Sequence, residues 1–340
     1  MATIKQVADY ADVSVATVSR VINKTGYVSQ DLQQRVYRAM EALNYKPSAL
    51  AQSLRNQRTQ VVGVLIPQLD QPFFSTLTYS IEQALFANDY RVLICSAEEN
   101  REKEDAYIEM MLRQRVDGAI IVPTGHSSDN VRRLLDKNVP VVLVDRDLGD
   151  VEGVSRVLTD NYQGGYDGMQ HLLQLGHTRI GIISTPLYSE AMAQRVRGTQ
   201  QAMLDFGLEP DSEMLISGTL QQFEMGYSAA RVLLEKTQPP TAIFALTDVM
   251  AVGVIHGAAM LGLKLPHDLS VMGFDNIPLA AYIMPELTTV AQPIAEIGEI
   301  ATQVILRHML DTEAPVSTTV LKDELVVRNS TMPPKTSRKG

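Results

Sequence analysis

Beyond residue 60, short apolar runs end on polar side chains, and these ends hold the groups best suited to chemistry. Asp145 and Arg146 close VPVVLVDRD, Thr247 and Asp248 close TAIFALTD, and Asp275 with Asn276 closes LSVMGFDN. Arg195, Phe73 and Phe74 stand at or just inside the starts of helical stretches. A carboxylate and a guanidinium together grip vicinal hydroxyls by charge-assisted hydrogen bonds, and an aromatic ring packs on the C–H face of a sugar. The set predicts a pocket for a hydroxylated ligand.

Catalysis has no comparable constellation. No strand-to-helix turn carries G-x-G-x-x-G or a P-loop, and no G-x-S-x-G elbow occurs. The histidines, His126, His171, His177, His256, His267 and His308, are far apart with no H-x-x-x-H pair, so solvated or structural roles are expected. A single cysteine, Cys95, excludes an internal disulfide framework and a Cys-based zinc finger, and it suits a reducing compartment. No enzyme activity, metal or cofactor is expected.

The elements that must position these groups follow from the pattern. VVGVLIPQ, YRVLICSAE, VDGAIIVPT and VPVVLVDRD read as strands, separated by the amphipathic SIEQALFAN, KEDAYIEMMLRQ and DNVRRLLDKN. After VSRVLTDN the alternation restarts and runs to LSVMGFDN. Apolar runs buried on both faces and joined by helices imply parallel sheets, so an α/β fold with two doubly wound parallel-sheet lobes is expected. In open sheets of this kind ligands bind outside the carboxyl ends of the strands, which places the polar ends on both walls of a cleft.

The first 60 residues differ. They hold eight basic and four acidic side chains, a net of +4, although the whole chain carries -9. A basic head on an acidic body suits a reader of polyanions. Thr3 and Gln6 match a capping box ahead of Ile4, Val7, Ala8 and Ala11. Ser14 is the next N-cap candidate, before Val15, Val18, Val21 and Ile22, and Ser29 can cap a third helix that turns Leu32, Val36, Met40 and Leu43 inward. Two short helices joined by a tight turn and braced by a third make a helix-turn-helix.

The run TIKQVADYADVSVATVSRVIN, followed by GYVSQDLQQRVYRAMEALNYKPSALAQSLR, resembles the head and hinge of the lactose/galactose repressor (LacI/GalR) family of bacterial transcription regulators. The resemblance continues over essentially 1–332 through QPFF, VDGAII, VPVVLVDR, LGHTRIGII, TDVMAVGV, GFDN and LTTVAQP. It implies that Val15 and Ala16 read base edges at the start of the recognition helix, with Ser19 and Arg20 close to bases or phosphates. Small apolar side chains offer thymine-methyl contacts only, so Arg20 is the best candidate for a guanine edge. Thr3, Thr17, Asn23 and Tyr27 would position phosphates without reading sequence. The resemblance also implies a hinge helix that orders on DNA and pushes Leu54 into the minor groove as a kinking wedge, with Arg55 in phosphate reach.

For the body the resemblance implies a fold similar to periplasmic sugar-binding proteins, with an effector held by Phe73, Asp145, Arg195, Thr247, Asp275 and Gln292. Leu220 to Phe223 is expected to supply an apolar wall. Gln71 stands where the family more usually has Asn, and the chain has no tryptophan to stack on a ligand. The expected organisation is a DNA-binding head over 1–46, a hinge over 47–60, an effector and dimerisation body over 61–332, and a frayed tail over 333–340. Lobe 1 should comprise about 61–158 and 291–320, and lobe 2 about 159–290 and 321–332. With no leucine-heptad tail, a homodimer on a pseudo-palindromic operator is the economical assembly. No signal peptide or membrane span is evident, so the cytoplasm is expected. The reading is a regulator of carbohydrate genes controlled by a sugar or derivative, with a global regulator activated by a partner protein or corepressor as the alternative. Induction and corepression both satisfy the same linkage.

Overall fold

A computed structural model describes residues 2–23, 25–45, 58–124, 128–149, 151–186, 189–219 and 222–335. The expected hinge helix with Leu54 and Arg55, together with His126, Leu220 and the tail from residue 336, lies outside the described residues. The chain divides into two compact units, Met1–Gln60 and Val61–Gly340.

In the first unit, α1 (Ile4–Ala11), α2 (Val15–Asn23) and α3 (Gln30–Ala42) close on a small core of Val7, Ala8, Ala11, Val18, Val21, Val36 and Ala39. The capping box forms: Thr3 Oγ1 accepts from Gln6 N–H at 3.3 Å and Gln6 Oε1 accepts from Thr3 N–H at 2.8 Å. Asp12 ends α1 in the left-handed region at φ 50°, and Ser14 Oγ accepts from Thr17 N–H at 3.1 Å to start α2. Arg35 of α3 straps this turn by donating to the carbonyls of Ala11 and Asp12 at 2.7 and 2.9 Å. One detail departs from the sequence reading: Ser29 precedes α3 but makes no side-chain cap. Val15 stays 42% exposed at the start of α2, while Val18 and Val21 are buried.

The second unit contains two six-stranded sheets. Its strands are β1 (Val61–Ile66), β2 (Arg91–Ser96), β3 (Gly118–Ile121), β4 (Val141–Val144), β5 (Ser155–Thr159), β6 (Ile180–Ser184), β7 (Leu215–Ser217), β8 (Ala242–Ala245), β9 (Ser270–Asp275), β10 (Thr288–Ala291), β11 (Thr318–Leu321) and β12 (Glu324–Val326). Its helices are α4 (Pro72–Phe86), α5 (Arg101–Gln114), α6 (Asp129–Leu135), α7 (Asn161–Gln174), α8 (Glu190–Asp205), α9 (Gln222–Leu234), α10 (Asp248–Met260) and α11 (Ile294–Leu310). The first sheet runs β11-β5-β4-β3-β1-β2 and the second β12-β10-β9-β8-β6-β7. Every pairing is parallel except β10 with β12. Central strands such as β3, β4, β8 and β9 are buried throughout, as their unbroken apolar runs require, whereas the edge strand β2 leaves Ile94 exposed. In both sheets the strand order reverses beside the first strand, at β1/β3 and at β6/β8, which is where a crevice opens at the carboxyl ends.

The chain passes between the sheets three times, at Thr159–Asn161, at Gln292–Pro293 and at Lys322–Asp323. Helices α7 and α8 then cross backbone to backbone. A Cβ on Gly165 would lie 2.2 Å from the carbonyl oxygen of Arg195, and one on Gly198 would lie 2.0 Å from that of Tyr162. Backbone atoms cannot yield as a flexible side chain can, so both positions demand glycine, and the close crossing fixes where Arg195 stands. Gly198→Ala is expected to lower the urea unfolding midpoint by an amount equivalent to about 1–3 kcal/mol, the usual cost of overpacking.

Candidate functional site

The carboxyl ends of the two sheets enclose a cleft lined on one side by Gln71, Phe73, Phe74, Asp145 and Arg146 and on the other by Thr185, Ser189, Met192, Arg195, Gln222, Thr247 and Asp275. Asp145 follows β4 at φ 64° and Asp275 ends β9 at φ 112°, with Asn276 next at φ 56°. Left-handed backbone on non-glycine residues costs about 1–3 kcal/mol each and concentrates at functional sites, where surrounding structure enforces it. Here the turns leave both carboxyls on the cleft walls.

Arg195 is the centre of the arrangement. Its Nε donates to Asn161 Oδ1 at 2.7 Å, while Nη1 donates to the Leu246 carbonyl at 2.8 Å and to Asp275 Oδ1 at 3.2 Å. The guanidinium also lies 3.7 Å from the centroid of the Phe274 ring. Asp275 Oδ1 accepts a further bond from Gln292 Nε2 at 2.8 Å, and Gln292 Oε1 accepts from Thr159 Oγ1 at 2.9 Å. Thr159 Oγ1 in turn accepts from Asn161 Nδ2 at 3.2 Å. Two of the three inter-sheet crossings are thereby tied to the cleft floor. On the opposite wall Arg146 Nη1 donates to Glu99 Oε1 at 2.9 Å and to the Pro123 carbonyl at 3.2 Å, with its Nε 3.7 Å from Asp145. Phe73 and Phe74 meet edge to face, centroids 5.2 Å apart.

Burial dominates the electrostatics. Desolvation raises the Asp145 carboxyl against the pull of Arg146 and Arg195, and raises Asp275 to about 6 even beside Arg195. Asp323, at the third crossing, is raised to about 7 by burial, and neither of its carboxyl oxygens has a hydrogen-bond partner among the described residues.

Three sequence expectations are corrected. Asp248 lies behind the cleft, where Oδ1 accepts from Thr289 Oγ1 at 2.6 Å and Oδ2 from Ile277 N–H at 2.8 Å. Burial, then the neighbouring Asp275, push its carboxyl up to about 8. Gln292 is off the wall and holds Asp275 instead. Phe223 turns to the His256 ring, 5.8 Å away, and leaves the cleft. Phe73, Phe74, Asp145, Arg146, Arg195, Thr247 and Asp275 do converge. Gln71, Thr185, Ser189, Met192 and Gln222 join them unpredicted; Thr185 closes TRIGIIST and was available to the same strand-end rule. Three histidines serve structure: His308 pairs with Ser155, His171 with Thr331, and His177 with Thr241 and the Met332 carbonyl.

On the first unit, Ser14, Val15, Ala16 and Arg20 are exposed along α2, Thr17 and Ser19 are half-buried, and Tyr27 is 93% exposed. Asn23 spends its amide nitrogen on the Ser19 carbonyl, capping its own helix, and Thr17 Oγ1 bonds Ser14 Oγ at 2.9 Å.

Comparison with known proteins agrees with this geometry. Residues 3–48 match the model of bacterial regulatory proteins of the lacI family, and residues 59–324 match the periplasmic binding proteins and sugar binding domain of the LacI family. The HTH-type transcriptional repressor PurR of Aliivibrio fischeri (strain MJ11) is 35% identical over 334 residues, 98% of this chain and 99% of that one. The lac repressor dimer bound to operator and the anti-inducer ONPF superposes with a TM-score of 0.85 at 26% identity, covering 97% of this chain and 99% of that one. The transcriptional regulator CelR in complex with cellobiose gives 0.73 at 28% identity, covering 97% and 100%. The chain belongs to the LacI family. It is a DNA-binding transcriptional repressor and not an enzyme. Among the described residues no helix is long and apolar enough to cross a membrane.

Raised carboxyls give stability a definite pH dependence. Between the unfolded value near 3.9 and the folded value, the folded chain binds protons that the unfolded chain has released, so stability falls as pH rises through that window. For Asp248 the loss runs from about pH 4 to about 8, with a slope of up to about 1.4 kcal/mol per pH unit. Asp248→Asn keeps the shape and removes the titration; urea midpoints of this variant are expected to decline less between pH 5.5 and 8 than those of the parent.

Proposed function

We propose that the protein is a cytoplasmic homodimer that represses genes of carbohydrate uptake or catabolism, and that a sugar or sugar derivative held between its sheets sets its affinity for a pseudo-palindromic operator. The observation that carries this reading is the pair of buried carboxyls, Asp145 and Asp275, facing one cleft with Arg195 and the Phe73–Phe74 edge. Carboxyls and a guanidinium held rigidly in a concave site suit the hydroxyls of a polyol, whose C–H faces pack on aromatic rings. The cellobiose held by the neighbour CelR supports the ligand class.

Operator reading falls to the exposed side of α2. Ser14, Val15, Ala16, Ser19 and Arg20 face the major groove, with Arg20 on a guanine edge and the two apolar residues on thymine methyls. Thr3, Thr17, Asn23 and Tyr27 contact phosphates and set the register of the head. Leu54 enters the minor groove as a wedge, and Arg55 reaches phosphate. A dimer presents two such heads, one per half-site. The ligand shifts DNA affinity by its own difference in affinity between two arrangements of the sheets, typically about 1–3 kcal/mol.

Arg20 separates base reading from charge. With the full-length protein, Arg20→Ala should weaken binding to the operator about tenfold or more, the usual value of a bidentate base contact, and weaken binding to scrambled duplex much less. Equal losses on both duplexes assign Arg20 to phosphate and reject its reading role.

A further inference from the structure

The cleft does not end at the Arg195 chamber. A second chamber, lined by Gln68, Glu98, Glu99, Gly218 and Thr219, opens from it and shares Phe74, Arg146, Thr185, Ser189 and Gln222 with it. The inner chamber offers only about 60 Å³ and the outer about 300 Å³ on the same measure. Small-molecule sites commonly occupy about 300–1,000 Å³, so the inner chamber alone is narrow for a ligand and the two together reach the ordinary range.

Charge over the two chambers is lopsided. Four carboxyl groups, Asp145, Asp275, Glu98 and Glu99, face the chambers against two guanidiniums, Arg146 and Arg195. Both guanidiniums already serve the protein: Arg195 holds Asp275, Asn161 and the Leu246 carbonyl, and Arg146 holds Glu99 and the Pro123 carbonyl. Lys103 pairs with Glu98, and no lysine lines either chamber among the described residues. Glu98 and Glu99 follow β2 at φ 53° and 52°, two successive left-handed residues, so this carboxyl pair is placed by enforced backbone. An anion entering here would be desolvated beside four carboxyl groups, while the guanidiniums that line the chambers among the described residues are already engaged by Glu99, Asp275 and backbone carbonyls.

We propose that the two chambers form one elongated site for an uncharged, polyhydroxylated molecule longer than a single sugar ring, and that the walls exclude phosphorylated sugars and sugar acids. The inner chamber grips one unit through Asp145, Asp275 and Arg195, and the outer accepts hydroxyls of the next unit at Glu98, Glu99 and Gln222. This rests on the sugar reading given above and narrows it.

The test uses the full-length protein incubated with a deproteinised bacterial metabolite extract, desalted, and examined by native mass spectrometry for the mass and charge chemistry of what it retains. Thr219→Trp, at an exposed position of the outer chamber, is then titrated with the retained compound, with thermal melting as the folding control and Gln68→Trp on the opposite lip as a second blocking variant. The expected result is a neutral oligosaccharide or glycoside whose affinity falls at least tenfold in a blocked variant that melts like the parent. A retained sugar phosphate or sugar acid overturns the inference, and so does a single-ring sugar that binds both blocked variants as tightly as the parent. Retention of a flat nucleobase, or of nothing, instead refutes the underlying sugar reading.

Discussion

The structure depends on a buried guanidinium. Arg195 is 5% exposed and Asp275 6%, and taking two ions out of water costs several kcal/mol each unless geometry and further hydrogen bonds compensate. The compensation is visible: Arg195 meets a carboxylate, an amide, a carbonyl and the face of Phe274, while Asp275 also accepts from Gln292. Such a pair adds little net stability over an apolar packing of the same volume, but breaking it leaves a lone buried charge worth about 3–5 kcal/mol. It therefore specifies one arrangement more than it strengthens it. The glycine-to-backbone crossing of α7 and α8 serves the same end by fixing the helix that carries Arg195.

That arrangement joins the cleft to the crossings between the sheets. Asn161 and Gln292 stand on crossings between the sheets, and both touch the Arg195–Asp275 pair directly. A ligand that competes for Arg195 or Asp275 at the cleft surface alters bonds whose other ends lie in the hinge. The third crossing contributes Asp323, a carboxyl without a hydrogen-bond partner among the described residues that feels Arg195, Asp275, Asp160 and Asp145 together. The third crossing thus lies within the electrostatic reach of the site's charged groups.

Much of this was legible in the sequence, for physical reasons. Parallel strands buried on both faces leave unbroken apolar runs, so the two sheets and their carboxyl ends could be located, and with them Asp145, Arg146, Thr247 and Asp275. The capping box at Thr3 and the exposed flank of α2 were equally local. What escaped was direction. Thr247 and Asp248 are adjacent, yet one faces the cleft and the other turns to Thr289 and the Ile277 amide, and no period separates them at a strand-to-helix turn. Gln292 was placed at the ligand by family resemblance, whereas its bonds run to Thr159 and Asp275. Phe223 follows a loop with no periodicity to set its register. The second chamber was invisible because Gln68, Glu98 and Thr219 come from three separated segments that only the folded sheet ends bring together.

Reciprocity tests the coupling of cleft to operator most directly. The affinity of the retained sugar should be measured by calorimetry with the protein alone and again with the protein saturated by its operator duplex. The account predicts that operator changes sugar affinity by the same factor, about 5 to 150, by which the sugar changes operator affinity. A sugar affinity that is identical with and without operator would contradict it.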